Sequence, residues 1–350
     1  MLGFETLSII WFILLGVLLA GYAVLDGFDL GVGMLHPLAR NDDERRIFIN
    51  AIGPVWDGNE VWLITFGGAM FAAFPEVYAS VFSGFYVAFM MLLFAIIMRA
   101  VSIEFRSKIH SRAWRRFWDW GFFGSSGLAS LLFGVAVGNA MIGLPLDDRG
   151  VYLGGLPPML GFREDGFTIY PIVVGVLTIT MFLMHGALYL YLKTPEGELH
   201  ERLKHWMWHA WGLFLVMYLL ATMYTLVAVD HAVPNFQRMP WAAAIVIVNV
   251  LAIANIPRAI YAGRPGQAFL SSCITIVALV SLFSMALWPY LVRSSLPGGF
   301  SWTVENAASS ERTLMIMFII ACIGMPFVLA YTSAVYWTFR GKVELEPSGY

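Results

Sequence analysis

Four acidic side chains lie inside otherwise apolar sequence, and they come in two pairs. Asp26 and Asp29 are three residues apart, as are Asp57 and Glu60. On a helix that spacing puts both members of a pair on one face. An ionisable group in a membrane-spanning helix costs roughly 2.5–3.5 kcal/mol on insertion scales, so it is a functional hypothesis by default. Arg99 closes another apolar stretch, and Asp119 opens the next, between Trp118 and Trp120. These six residues have the chemistry of a proton or cation route. Buried carboxyls can hold and pass a proton, and a guanidinium beside one of them keeps that one ionised. A blander reading has Asp26 and Asp29 reaching the interface, or capping a helix break among Gly27, Gly31 and Gly33. Arg99 and Asp119 would then serve topology or a plain ion pair.

Seven histidines offer little cofactor chemistry. His36, His110, His200 and His231 fall in predicted loops or interfaces. His205 and His209 have the i, i+4 spacing of a metal pair. No third ligand or carboxylate follows, which favours a solvated pair, and no metal site is expected. His185 is the one histidine well within an apolar segment. It is the single cofactor-binding candidate, able either to ligate a haem through one face or to hydrogen-bond a neighbouring helix. Cys273 and Cys322 sit in apolar stretches and cannot make a disulfide framework or a zinc site. No C-x-x-C-H, P-loop or G-x-G-x-x-G occurs, so covalent haem attachment and nucleotide chemistry find no support.

The elements that must position these groups are membrane helices. Of 350 residues 59% are hydrophobic and 13% charged, against about 25% charged in a soluble domain. Mean hydropathy is +0.73. A spanning helix needs about 20 apolar residues. Nine segments qualify or nearly so: 7–34, 49–74, 77–98, 120–146, 167–192, 206–229, 239–257, 265–292 and 313–339. They are continuous apolar runs, not the alternating runs of a barrel. The expected fold is an all-α polytopic bundle occupying 1–350 as one membrane domain, with short loops. The amino terminus lacks a positive n-region and a cleavage site, and reads as a retained helix. Placing the amino terminus outside puts all but five of the 21 basic residues on the cytoplasmic side. The exceptions are Arg149, Arg163, Arg238, Arg293 and Arg312. This is the asymmetry of the positive-inside rule, and it puts the carboxy terminus in the cytoplasm. A net charge of −2 gives no basic surface for nucleic acid.

Several motifs resemble one family. GYAVLDGFDLGVGML (21–35) closely resembles the first helix of subunit II of the cytochrome bd quinol oxidases. The stretch 41–79, which contains WDGNEVW, and the stretch 83–108 match the next part of that family. WDWGFFGSS (118–126), GVAVGN (134–139), 185–199 and MPFVLAYTSAVYWTFRGKV (325–343) follow in order. The resemblance spans the chain and is weaker by motif in its carboxy-terminal half.

It implies a subunit of a complex that oxidises membrane quinol and reduces dioxygen to water in a bacterial or archaeal cytoplasmic membrane. Haem b and haem d, with the substrate quinol site, belong mainly to the partner, subunit I. Subunit II would support assembly and haem retention and offer a cytoplasmic proton-uptake path. Small accessory subunits and a structural quinone or lipid fit the same picture. Carried over by residue, Trp56, Asp57, Gly58, Asn59 and Trp62 match the family motif. Asp57 is expected as the main relay, with Asp26 or Asp29 nearer the intake and Arg99 and Asp119 in support. An amide can stand in the family where Glu60 stands, so Glu60 need not carry protons. Trp56 and Trp62 are expected to pack against neighbouring helices or quinone. The rival readings are a proton-coupled secondary transporter, against which no inverted repeat is found, and a purely structural membrane subunit.

Overall fold

The computed structural model describes residues 3–163 and 166–344. Its helices are α1 (Phe4–Leu35), α2 (Asp42–Ile52), α3 (Trp56–Ala73), α4 (Pro75–Gly84), α5 (Tyr86–Phe105), α6 (Arg112–Ile142) and α7 (Leu156–Met159). They continue as α8 (Tyr170–Lys193), α9 (Glu198–Ala228), α10 (Pro234–Arg238), α11 (Ala243–Tyr261), α12 (Pro265–Leu287) and α13 (Glu311–Thr338). Two small antiparallel pairs, β1 (Phe162–Arg163) with β2 (Gly166–Phe167) and β3 (Tyr290–Val292) with β4 (Trp302–Thr303), lie in connections. The chain is a helical membrane bundle. Among the described residues, eight helices are long and apolar enough to cross a bilayer: α1, α5, α6, α8, α9, α11, α12 and α13, the first with its trailing turn and the eleventh with its leading turn.

The predicted segments 49–74 and 77–98 are each divided. Pro54 cannot donate the hydrogen bond a continuous helix needs, and the chain turns between Ile52 and Trp56. The second division falls at Phe85, between α4 and α5. With 18 residues, α3 is about 27 Å long. Asp57, Asn59 and Glu60 in its first turns dilute its hydropathy, so it falls outside the eight. Helix ends also differ from the expected ones. Asn41 caps α2 by accepting from the Glu44 N–H (2.9 Å), and Ser310 caps α13 by accepting from Thr313 (3.3 Å), each satisfying a first-turn donor. His200, expected in a loop, lies in α9.

The centre of the bundle is α1, which packs against α3, α6, α8 and α12. Every residue from Asp26 to Leu35 is buried. Its closest neighbour is α8. A Cβ on Gly31 would overlap the Phe182 carbonyl and the Gly186 backbone, and one on Gly186 would meet the Gly31 carbonyl carbon at 2.5 Å. Buried hydrophobic residues gather towards both ends of α1. One cluster gathers Phe28, Phe48, Ile52, Phe182 and Leu188 near the basic loops. The other gathers Leu7, Trp11, Phe74, Phe85 and Leu144 at the opposite end. There, residues 144–152 and 290–303 fold over the bundle. The Leu144 N–H donates to the Arg293 carbonyl (2.8 Å), and Trp302 Nε1 donates to Ser80 Oγ (3.1 Å). By contrast α13 leans on the bundle with most of its surface exposed, including Ile320, Ile323 and Phe327.

Candidate functional site

Asp26 and Asp29 project from the buried half of α1, both fully inaccessible. The guanidinium of Arg99, from α5, donates through Nη1 to Asp26 Oδ1 at 2.6 Å. Its Nη2 lies 3.4 Å from Glu60 Oε2 of α3. Asp29 is held differently. Asn59 donates from Nδ2 to Asp29 Oδ2 (2.8 Å) and to the Leu25 carbonyl (3.2 Å). The Tyr336 hydroxyl of α13 donates to Asn59 Oδ1 at 2.8 Å and so fixes the amide's orientation. Four helices, α1, α3, α5 and α13, thus converge on two carboxyls.

Arg99 balances one negative charge, whereas the bonded partner of Asp29 is a neutral amide. Several polar atoms here have no protein partner: Asp29 Oδ1, Asp26 Oδ2, Arg99 Nε and the Tyr22 hydroxyl. Tyr22 lies one turn before Asp26 on the same face of α1 and is 2% exposed. Unpaired buried polar atoms are costly, and these lie together around the two aspartates.

Not all six expected residues meet. Asp119 belongs to a second cluster. Its Oδ1 is 2.7 Å from His36 Nε2 and accepts from Arg106 Nε at 2.5 Å, while Oδ2 accepts from Arg45 Nη1 at 3.2 Å. Arg106 also donates to Asp42 (2.7 Å), as does Arg115 (2.8 Å). This knot ties the turn after α1 to α2, α5 and α6. His36 is therefore not a loop histidine; it is completely buried.

The grouping of Asp57 with the other acids also needs correction. Asp57 is exposed on α3 and has no bond to Asp26 or Asp29. At 3.6 residues per turn, Asn59 lies about 200° around the helix from Asp57. When Asn59 faces Asp29, Asp57 must face outward. It shares that outer face with Gly58, Val61, Ile64, Gly68 and Phe71. Trp56 is buried, and the Trp62 ring fills the space beside Gly21.

The fit of a haem at His185 fails on geometry. His185 Nε2 meets the Val24 carbonyl at 2.9 Å and Nδ1 meets Ser272 Oγ at 2.7 Å. The ring stacks on Phe269 at 4.8 Å. With both nitrogens engaged, an iron would have to break one of these bonds, and no step through a haem on this chain is drawn. His205 and His209 are exposed, each with Nδ1 against the carbonyl four residues earlier. Among the described residues no group of three or more His, Cys, Asp or Glu could hold a metal ion.

Outside the spans, α2 is anchored by Glu44. Arg202 grips it with two bonds (3.1 and 2.7 Å), and the Arg40 N–H adds a third at 2.7 Å. Burial works to raise the Glu44 carboxyl. The bonds from Arg202 and Arg40, and their charges, outweigh it and hold the group below the ordinary glutamate value.

The sequence reading missed His36, Arg106, Tyr22 and Tyr336. In the sequence Arg106 counts only among the cytoplasmic basic residues, and His36 among the loop or interface histidines. Only their places next to GVGML and in the basic loop hinted at more, and partner identity depends on folding.

Comparison with known proteins agrees with this architecture. A family model described as cytochrome bd terminal oxidase subunit II matches residues 7–339. Cytochrome bd-I ubiquinol oxidase subunit 2 of Escherichia coli K12 is 38% identical over 381 aligned residues, covering 99% of this chain and 97% of that one. Cytochrome bd ubiquinol oxidase subunit 2 of Bacillus subtilis 168 is 34% identical over 345 residues, covering 97% and 98%. In fold, the chain matches a chain of the bd oxidase of Geobacillus thermodenitrificans with a TM-score of 0.77 at 16% identity, covering 95% of this chain and 98% of that one.

Proposed function

Because this chain belongs to the cytochrome bd terminal oxidase subunit II family, we propose that within its complex it delivers protons through the carboxyls of α1 and α3 to the site of oxygen reduction. It is a multi-pass subunit of a bd-type terminal oxidase, an oxidoreductase of the bacterial cytoplasmic membrane. The partner is subunit I, which on this reading carries haem b, haem d and the quinol site. The complex oxidises quinol and reduces dioxygen. Each dioxygen takes up four electrons and four protons to give two waters. A buried reaction centre cannot gather electrons without compensating charge, so protons must reach it at matching rate. With the basic loops in the cytoplasm, uptake from that side and release of quinol protons on the other builds membrane potential.

The observation that carries this reading is Asp29: fully buried, bonded to a neutral amide, with one carboxylate oxygen lacking a protein partner. A carboxyl in that setting can accept a proton and return it. Asp26 does a different job. Its bond to Arg99 fixes one permanent charge beside the transfer site, and Glu60 lies at the edge of that field. Asp57 belongs at the boundary of the subunit. A carboxylate on a face with Val61, Ile64 and Phe71 is expensive against lipid, which supports polar groups of subunit I opposite α3. Protons would then leave this chain through Asp57, so that Asp29 and Asp57 act in series. Subunit contact also supports assembly and haem retention in the partner. Asp29→Asn and Asp57→Asn test the series by oxygen-consumption rate at equal haem content. The proposal expects both to slow turnover; full rates in both would overturn it.

A further inference from the structure

Next to the carboxyl site, the ends of α2, α8 and α13 and the start of α12 border a cavity of about 290 Å³. Tyr189, Phe269, Tyr336 and Phe339 wall it, and Lys193 and Arg340 stand beside them. Among the described lining residues there is no carboxylate. Both cations are positioned by the chain. Lys193 Nζ donates to the Phe339 carbonyl at 2.5 Å, and the Lys193 carbonyl accepts from the Val343 N–H at 2.7 Å. Arg340 Nη1 donates to the Trp337 carbonyl at 3.0 Å, with the guanidinium centred 3.9 Å from the Trp337 ring centroid. An ammonium has three donors and a guanidinium five, so each keeps protons for another acceptor. Lys342 close by differs: it is paired with Glu196 at 3.0 Å. Lys193 and Arg340 therefore leave the cavity with positive charge that no acid among the described lining residues balances.

We infer that this cavity binds an anionic phospholipid, with the phosphate between Lys193 and Arg340 and an acyl chain along the aromatic wall. The chemistry is specific in two ways. Basic pockets between membrane helices at the cytoplasmic face attract acidic headgroups, and a guanidinium fork matches phosphate oxygens in geometry as well as charge. Aromatic and aliphatic walls below a charged rim suit an amphiphile, whereas a free phosphate would use the rim alone. The position adds a consequence. Tyr336 is at once a wall of the cavity and the donor that orients Asn59 against Asp29. A bound lipid would hold that phenol in place and so support the carboxyl site. This consequence rests on the proton-delivery reading; the binding does not.

The test uses the intact complex, reconstituted in nanodiscs of phosphatidylcholine with a minor share of phosphatidylglycerol, then extracted in mild detergent. Retained lipid is measured by native mass spectrometry. The wild type is expected to hold phosphatidylglycerol above its share in the disc. Lys193→Gln with Arg340→Gln should lower that enrichment severalfold at unchanged haem content, and Lys193→Arg with Arg340→Lys should keep it. Lys193→Gln alone, a milder change, should show a partial loss. Equal enrichment in wild type and both Gln variants would overturn the inference. So would retention of phosphatidylcholine or a neutral quinone in place of phosphatidylglycerol. Failure of proton delivery would appear separately, in turnover of the Asp29 variant.

Discussion

At the scale of single residues, the pair Asp26–Arg99 separates structural from functional charge. Removing one partner of a buried ion pair leaves the other uncompensated, at a cost of roughly 3–5 kcal/mol. Arg99→Gln is therefore expected to lower the thermal stability of the purified complex, read as an earlier loss of haem absorbance on heating. Asp29→Asn, which only exchanges one carboxyl for an amide of the same shape, should leave that melting curve nearly unchanged. Tyr22 provides a finer check. Its hydroxyl has no protein partner beside Asp26, so Tyr22→Phe should preserve stability while shifting the pH profile of oxygen consumption. An unchanged profile would remove Tyr22 from the route. The sequence made Asp26, Asp29, Glu60 and Arg99 visible, because a charge inside an apolar run stands out in one dimension. It could not show that Asp119 pairs with His36 and Arg106, since that needs the loop after α1 folded under α6. Nor could it show that Asp57 faces away from Asp29, which depends on how α3 is rotated about its axis.

At the scale of elements, the crossing of α1 and α8 at Gly31 and Gly186 is what seats both aspartates. Gly31→Leu would force a side chain into the Phe182 carbonyl. Overpacking typically costs about 1–3 kcal/mol, and here backbone, not a flexible side chain, must move. Loss of assembled complex is expected, measured as haem per milligram of membrane protein. Gly212→Ala in α9, where nothing lies within 4 Å of the added Cβ, should assemble normally. For α2 the expected behaviour is pH-dependent. The Glu44 carboxyl is held below its ordinary value of 4.5, so its contribution to stability is complete above that pH. It is lost as pH falls through the lower folded value. Thermal melts between pH 7 and pH 3 should show this loss in the wild type and a flatter dependence in Glu44→Gln. Apolar periodicity revealed the long helices well, because burial and bilayer length both select unbroken runs. It merged α2 with α3, and α4 with α5, because a short break costs little hydropathy.

At the scale of the whole molecule, the exposed faces of α9, α11 and α13 carry many large hydrophobic side chains, whereas the outer face of α3 includes a carboxylate. Its outer face carries Asp57 beside glycines with open space above them. If subunit I covers that face, Gly68→Leu should cut recovery of the partner in co-purification by about tenfold, which needs only 1.4 kcal/mol of lost docking energy. Equal recovery would place subunit I elsewhere. The central claim is that protons consumed in oxygen reduction pass through Asp29. The most direct measurement is proton uptake by the reduced complex in vesicles after a pulse of oxygen, followed with a pH-sensitive dye, for wild type and Asp29→Asn at matched haem content. The account predicts uptake slowed by about 10²-fold in the variant, within the range assigned to a positioned proton-transfer group. Uptake at the wild-type rate would contradict it.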